Sequence, residues 1–199
     1  MAQLKMYRPL NEPIDHFPLR DGYSFSCFKT DSDKLAWCEC CKNGLIGDDS
    51  DESTFYDRIE KDPRINIYDD VFFLDFNGEH IGTTTAFITD DKRIGDMHMV
   101  GIRTDFRGKG LSKNLCEMTL RHLKEKGAEF VVLTTDEWRK GAVKSYLSAG
   151  FLPVEYDTGM QERWEKVLEE YGIDSVPMLR DDLTPFKTIY RSNYKRKGV

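Results

Sequence analysis

The Asn77-Gly78 pair lies between two runs rich in aromatic and β-branched residues, 70–76 and 80–88, and constrains this chain more than any other feature. Asn and Gly tolerate the positive φ angles of a two-residue turn whose twist suits the flanking strands, so the segment predicts a β-hairpin. Asp90-Asp91-Lys92 turns the chain again, and 96–103 reads as a third strand of an antiparallel meander. The pattern then changes. Leu111, Leu115, Met118, His122 and Leu123 recur at helical spacing over 111–126, and Gly127 is the stop. Residues 130–134 are short and almost wholly apolar, as a strand covered on both faces is, and a helix over 140–149 and a strand from Phe151 follow. Hairpins succeeded by helical crossovers predict an α/β fold with one mixed antiparallel and parallel sheet and helices on both faces.

Ahead of the hairpin, Tyr23, Phe25 and Cys27 alternate along a strand that follows an extended lead-in holding Pro9, Pro13 and Pro18. A helix from Asp31 or Ser32 to about Lys42 is stopped by Asn43-Gly44, and a second over 53–61 ends at Asp62-Pro63. The predicted order is β-α-α-β-β-β-α-β-α-β. Beyond Tyr156, the spacing of Trp164, Val167, Leu168 and Tyr171 predicts an amphipathic helix over 161–171. The basic, aromatic tail from Thr184 either adds a final strand or lies over the surface.

A chain of 199 residues fits one domain. The expectation is a single domain over 1–199 with a core at 20–156 and an extension at 157–199. Charged side chains number 29 Lys/Arg against 35 Asp/Glu, net −6, a poor balance for gripping nucleic acid nonspecifically. The charge is uneven: 31–70 is strongly acidic, whereas 103–126 and 184–199 are basic. No stretch approaches the ~18 apolar residues of a membrane span, and the first residues lack an apolar leader, so the expected location is cytoplasmic. Five cysteines argue against a disulfide framework. Cys38, Cys40 and Cys41 lack a second Cys/His pair at finger spacing, so core or surface thiols are expected and no metal.

Residues 100–112 carry the chemistry. They join the end of a strand to the start of a helix, where glycines allow close backbone approach and the first helical N–H groups lack intrachain partners. Such a turn can hold phosphate on amides and the positive end of the helix dipole, and Arg107, Lys109 and Lys113 add charge there. The stretch resembles the GNAT N-acetyltransferases, whose signature at this junction is Gln/Arg-x-x-Gly-x-Gly/Ala. Arg107-x-x-Gly110-x-Ser112 matches the first two fixed positions and departs at the third by a small residue. Ala142, Tyr146, Gly150 and Phe151 match the family's second motif, while Arg139 stands where the family often has a cofactor-touching Asn.

The resemblance implies acetyl-CoA, or another acyl-CoA, as co-substrate. It places the pyrophosphate on amides of Arg107, Gly108, Lys109, Gly110, Leu111 and Ser112, with Arg139 as a further cofactor contact. It places the pantetheine arm along the backbone of Val100, Gly101 and Ile102, where an amide polarises the thioester carbonyl. Tyr146 is the expected general acid at the departing sulfur, with helix-to-sheet packing as its alternative. His98 and Asp96 are the candidates for accepting the amine proton, a structural hydrogen-bonded role being the alternative for His98. Strict alternation puts Asp96, His98, Val100 and Ile102 on one face, and Glu79, Asp136 and Glu137 stand in reserve.

The acidic helical segment is where the family builds much of its acceptor wall, so Trp37, Tyr56 and Tyr68, with Phe55, are candidate acceptor contacts as well as candidate core residues. The implied activity is transfer of an acetyl (acyl) group from acetyl-CoA to a primary amine of a small molecule or protein, directly within a ternary complex. A GNAT module that binds CoA as a sensor or scaffold without chemistry is the alternative. A second rival is nucleic-acid association through Lys187, Arg191, Lys195, Arg196 and Lys197, with Tyr190 and Tyr194 as stacking surfaces.

Overall fold

A computed structural model describes residues 2–191, which fall into two compact units, Leu10–Val131 and 2–9 with 132–191. The fold is the expected mixed α/β one, with both parallel and antiparallel strand pairs and helices.

In the unit Leu10–Val131, β2 (Tyr23–Cys27), β3 (Val71–Phe76), β4 (Glu79–Ile88) and β5 (Ile94–Ile102) are neighbours in that order, each pair antiparallel. The hairpin forms where Asn77-Gly78 predicts it, with φ of 50° and 84° at the two turn residues. Helix α1 (Ser32–Cys41) lies on one face of these strands and α4 (Ser112–Glu125) on the other. The α1 face buries Phe28, Trp37, Cys38, Cys41, Phe55, Ile59, Val71, Phe73 and Phe87 together. The α4 face gathers Leu74, Ile81, Leu111 and Leu115, with Val100 and Ile102 packed against them. The second predicted helix is α2 (Glu52–Phe55), capped by the Asp51 carboxylate, running directly into one π-helical turn, Tyr56–Glu60. One further turn, α3 (Ile67–Asp70), leads into β3.

Strand β6 (Phe130–Thr135) begins at the end of that unit and continues into the other, where the strand order is β6, β1 (Leu4–Pro9), β7 (Leu152–Glu155), β8 (Ser175–Arg180) and β9 (Pro185–Tyr190). The predicted helices appear as α5 (Lys140–Ser148) and α6 (Met160–Tyr171); α6 buries Trp164, Val167 and Leu168. The lead-in expected to be merely extended contains β1, paired antiparallel with β7. The tail forms a strand through Tyr190, antiparallel to β8, which itself runs parallel to β7. Tyr194, Lys195, Arg196 and Lys197 lie outside the described residues.

Candidate functional site

The turn before α4 is built from two glycines in the left-handed region, Gly108 at φ 77° and Gly110 at 80°, with open space where a Cβ would sit. Arg107 N–H donates to Thr104 O and Lys113 N–H to Gly110 O, but the amides of Gly108, Lys109, Gly110 and Leu111 make no hydrogen bond within the described residues. Residues 107–110 are exposed. Four free donors, ahead of a 14-residue helix, form a cradle for a group with several anionic oxygens, as a pyrophosphate has. Lys109 Nζ lies 4.3 Å from the Phe106 ring centroid and Lys113 Nζ 5.3 Å from that of Phe17, so both cations are held beside the turn by aromatic faces.

Arg107 contributes differently from its neighbours. Its guanidinium donates to Ile102 O (2.8 Å), Lys42 O (2.9 Å) and Asn43 O (3.1 Å). It thereby ties the end of β5 and the turn after it to the C-terminal end of α1, whose last carbonyls lack helical donors. Arg103 extends the same rim, paired with Asp105 (3.1 Å) and with the reserve carboxylate Glu79 (3.4 Å).

The single-face expectation for Asp96, His98, Val100 and Ile102 fails, because β5 carries a bulge. His98 pairs with Thr85 and Gly101 with Thr83, so β5 takes three steps where β4 takes two, and Met99 within the bulge has φ 50°. Gly95 and Gly101, which regular alternation would put on one face, meet Leu123 of α4 and Cys40 of α1 respectively. Val100 and Ile102 therefore face α4, whereas Asp96 and His98 share the α1 face with Gly101. A non-glycine residue held left-handed costs roughly 1 kcal/mol or more and persists only where its surroundings enforce it.

His98 is half-buried, and its Nε2 lies 3.3 Å from Arg58 O in the π-helical turn, with the ring edge-on to Phe87 at 6.3 Å between centroids. Burial holds its pKa below the usual value, outweighing the Arg58 carbonyl and Asp62, which favour the charged ring, while Arg64 opposes charge too. Burial likewise pushes the Asp96 carboxyl up to about 6, despite the nearby Arg64 guanidinium, with Asp62 adding repulsion. Arg64 is itself bound to Asp62 (2.5 Å) and lies over Phe87. The sequence did not show this group: Asp62 read only as the end of a helix, with Pro63, yet with Arg64 it modifies the effect of burial at the two candidate bases.

The acceptor candidates divide. Tyr56 and Tyr68 are 52% and 58% exposed, whereas Trp37 has no exposure and stands edge-on to Phe55 in the core, the packing role that its helical spacing also allowed. The five cysteines are free thiols. Burial pushes Cys40 and Cys116 up to about 12 and Cys41 well above its ordinary value, so these three stay neutral. Among the described residues no group of three or more His, Cys, Asp or Glu is placed to hold a metal ion, and no helix is long and apolar enough to cross a membrane.

In the other unit, Tyr146 is buried on α5 with its ring 5.8 Å from that of Phe151. Arg139 precedes α5, bonded through Nε to the reserve carboxylate Asp136 (3.1 Å), its guanidinium over the exposed Trp138 ring. Glu137, the other reserve, is bound by Arg163. Lys187 is bonded to Gln161, and Arg191 pairs with Asp174 at 3.0 Å, so neither tail cation stands idle.

The family model of the GNAT acetyltransferases matches residues 33–151, which include the turn, the bulge and the α5 motif. A mycothiol acetyltransferase of Thermobispora bispora is 28% identical over 159 residues, covering 75% of this chain and 53% of that protein. That of Streptomyces coelicolor is 36% identical over 86 residues, 43% of this chain and 28% of that one. The chain thus spans about half the length, or less, of the curated relatives it matches. A GCN5-related N-acetyltransferase structure from Sphaerobacter thermophilus superposes with a TM-score of 0.56 at 20% identity, covering 75% of this chain and 47% of that one. The ribosomal-protein-S18-alanine N-acetyltransferase of Escherichia coli gives 0.52 at 19% identity, covering 64% and 76%. With the family model matching residues 33–151, more than half of its length, the chain belongs to the GNAT acetyltransferase family.

Proposed function

We propose that this chain is an acetyl-CoA-dependent N-acetyltransferase, one domain over 1–199, that moves an acetyl (acyl) group to a primary amine by direct transfer in a ternary complex. The observation that carries the reading is the row of four unpaired amides at Gly108–Leu111 in a member of this family. Bound there, acetyl-CoA supplies an activated thioester carbonyl and a thiolate leaving group. The amides of 108–111 and the ammonium groups of Lys109 and Lys113 hold the pyrophosphate; Arg107 acts by fixing the turn against α1. Backbone N–H groups in Val100–Ile102 receive the pantetheine arm and stabilise charge on the reacting oxygen. His98 takes the proton of the attacking amine, since a neutral imidazole is a competent acceptor, and the half-buried Asp96 carboxyl lies on the same face. The Tyr146 hydroxyl returns a proton to the sulfur, and Arg139 is a further cofactor contact. Tyr56 and Tyr68 offer exposed aromatic faces to the acceptor.

The relatives named mycothiol acetyltransferase favour a small-molecule amine over a protein as acceptor. The test is a screen with acetyl-CoA against aminoglycosides, polyamines, amino acids, amino sugars and peptide N-termini, reading free thiol and product mass. The expected result is CoA release matched by N-acetylated product for at least one amine, and about a 100-fold lower kcat in Tyr146→Phe, the usual contribution of a general acid. Binding of acetyl-CoA with no turnover on any amine would contradict it and leave a CoA-binding module.

A further inference from the structure

The π-helical turn at Tyr56–Glu60 leaves the Arg58 carbonyl without a backbone donor, and His98 answers it. In that turn Lys61 N–H donates to Tyr56 O (2.9 Å), five residues back. Continuing the pattern would give Arg58 O the amide of residue 63, but residue 63 is proline and has none. Asp62 N–H, the next amide in range, is taken by Ile59 O at 3.2 Å. The Arg58 carbonyl is left to accept from a side chain, and the ring nitrogen within reach is His98 Nε2, at 3.3 Å. A carbonyl only accepts, so Nε2 must carry hydrogen. Nδ1 makes no hydrogen bond within the described residues.

We propose that the Arg58 carbonyl, stripped of its helical donor by Pro63, is a positioning group that fixes His98 as its Nε2–H tautomer and leaves Nδ1 as the ring's proton-accepting atom. The proposal rests on the reading of His98 as base, and it names the atom that takes the amine's proton and the device that selects that atom. The charged groups around the ring are Arg58, Asp62 and Arg64 from the turn and the residues after it, with Asp96 on its own strand. Phe87 closes one side, so the ring is held in orientation as well as in tautomer.

The test is the long-range proton–nitrogen NMR spectrum of the histidine rings in the intact chain at pH 7 to 8, where His98 is assigned by its loss in His98→Gln. The expected result is a protonated Nε2 and an unprotonated Nδ1. Pro63→Ala, at an exposed position, supplies a competing amide to Arg58 O, and the two His98 nitrogens should then move toward the averaged shifts of exchanging tautomers. The same variant should lower kcat for the amine by a few-fold and leave KM for acetyl-CoA unchanged. A protonated Nδ1 in the wild-type ring, or Pro63→Ala shifts identical to wild type, would overturn the proposal. Activity of His98→Gln decides the base reading separately, because Gln retains a donor toward Arg58 O but offers no basic nitrogen. Full turnover there would end the catalytic role of His98 while the tautomer stood on the spectrum alone.

Discussion

Arg107 shows how one side chain can brace a candidate site from outside the row of free amides. Its three bonds to Ile102, Lys42 and Asn43 carbonyls are charge-assisted but partly solvated, so Arg107→Ala should cost about 1–3 kcal/mol of stability, read as a lower urea midpoint with unchanged slope. Lys at 107 cannot reproduce a fork that reaches three acceptors, and should recover less than half of that loss. Asp96 makes a pH prediction with a definite sign. Its folded pKa of about 6 lies above the ordinary 3.8, so the folded protein holds a proton that the unfolded chain has released. The associated stability is present in full below pH 3.8 and is lost as pH rises through about 6. Equilibrium unfolding across pH 4 to 7 should show wild type losing up to about 3 kcal/mol relative to Asp96→Asn. A constant difference between the two would remove the burial account of this carboxyl.

At the scale of elements, the bulge in β5 decides which groups meet. Without its extra residue, Asp96 and His98 would lie with Val100 and Ile102 toward α4. With it they face α1 and the π-helical turn. Gly101 sits where α1 approaches this strand, and a Cβ there would lie 2.5 Å from the Cys40 carbonyl oxygen. Gly101→Ala should therefore destabilise by at least ~1–3 kcal/mol, because backbone on both sides must move; calorimetric unfolding measures it. The hairpin, the helix spacings and the glycine turn before α4 were legible because each is written in neighbouring residues: Asn77-Gly78, Leu111 to Leu123, Gly108-Lys109-Gly110. The bulge was not, since Met99 carries no local mark of a left-handed residue and only pairing with β4 enforces it. Strands β1 and β8 were missed for the same reason. Each is six residues long and pairs with β7, a partner far away in sequence for β1 and beyond a helix for β8. The bonds of Arg107 to the Lys42 and Asn43 carbonyls were not legible either, since those partners lie more than sixty residues away.

For the whole molecule, the net charge of −6 describes no single surface. Of the basic residues of 103–126, Lys109 and Lys113 flank the glycine turn before α4, whereas Arg121 pairs with Glu117 and Lys126 with Asp70; the acid is concentrated over 31–70, whose Tyr56 and Tyr68 are exposed. If that acid draws in a cationic amine, KM for the amine should rise several-fold between low salt and 1 M salt, where the screening length falls to about 3 Å, with kcat nearly unchanged. An uncharged acceptor analogue should show no such rise in steady-state kinetics. The central claim is that the chain grips acyl-CoA on the backbone of 108–111, and calorimetric titration with acetyl-CoA tests it. Gly78 is the internal control, with φ 84° and open space around its missing Cβ, like Gly108 and Gly110 but in the hairpin turn. Alanine at any of the three should cost about 1–2 kcal/mol of stability, since each holds a left-handed conformation. The account predicts saturable one-to-one binding to wild type and to Gly78→Ala, and at least a tenfold weaker affinity in Gly108→Ala and Gly110→Ala; equal affinity in all four, or none in wild type, would contradict it.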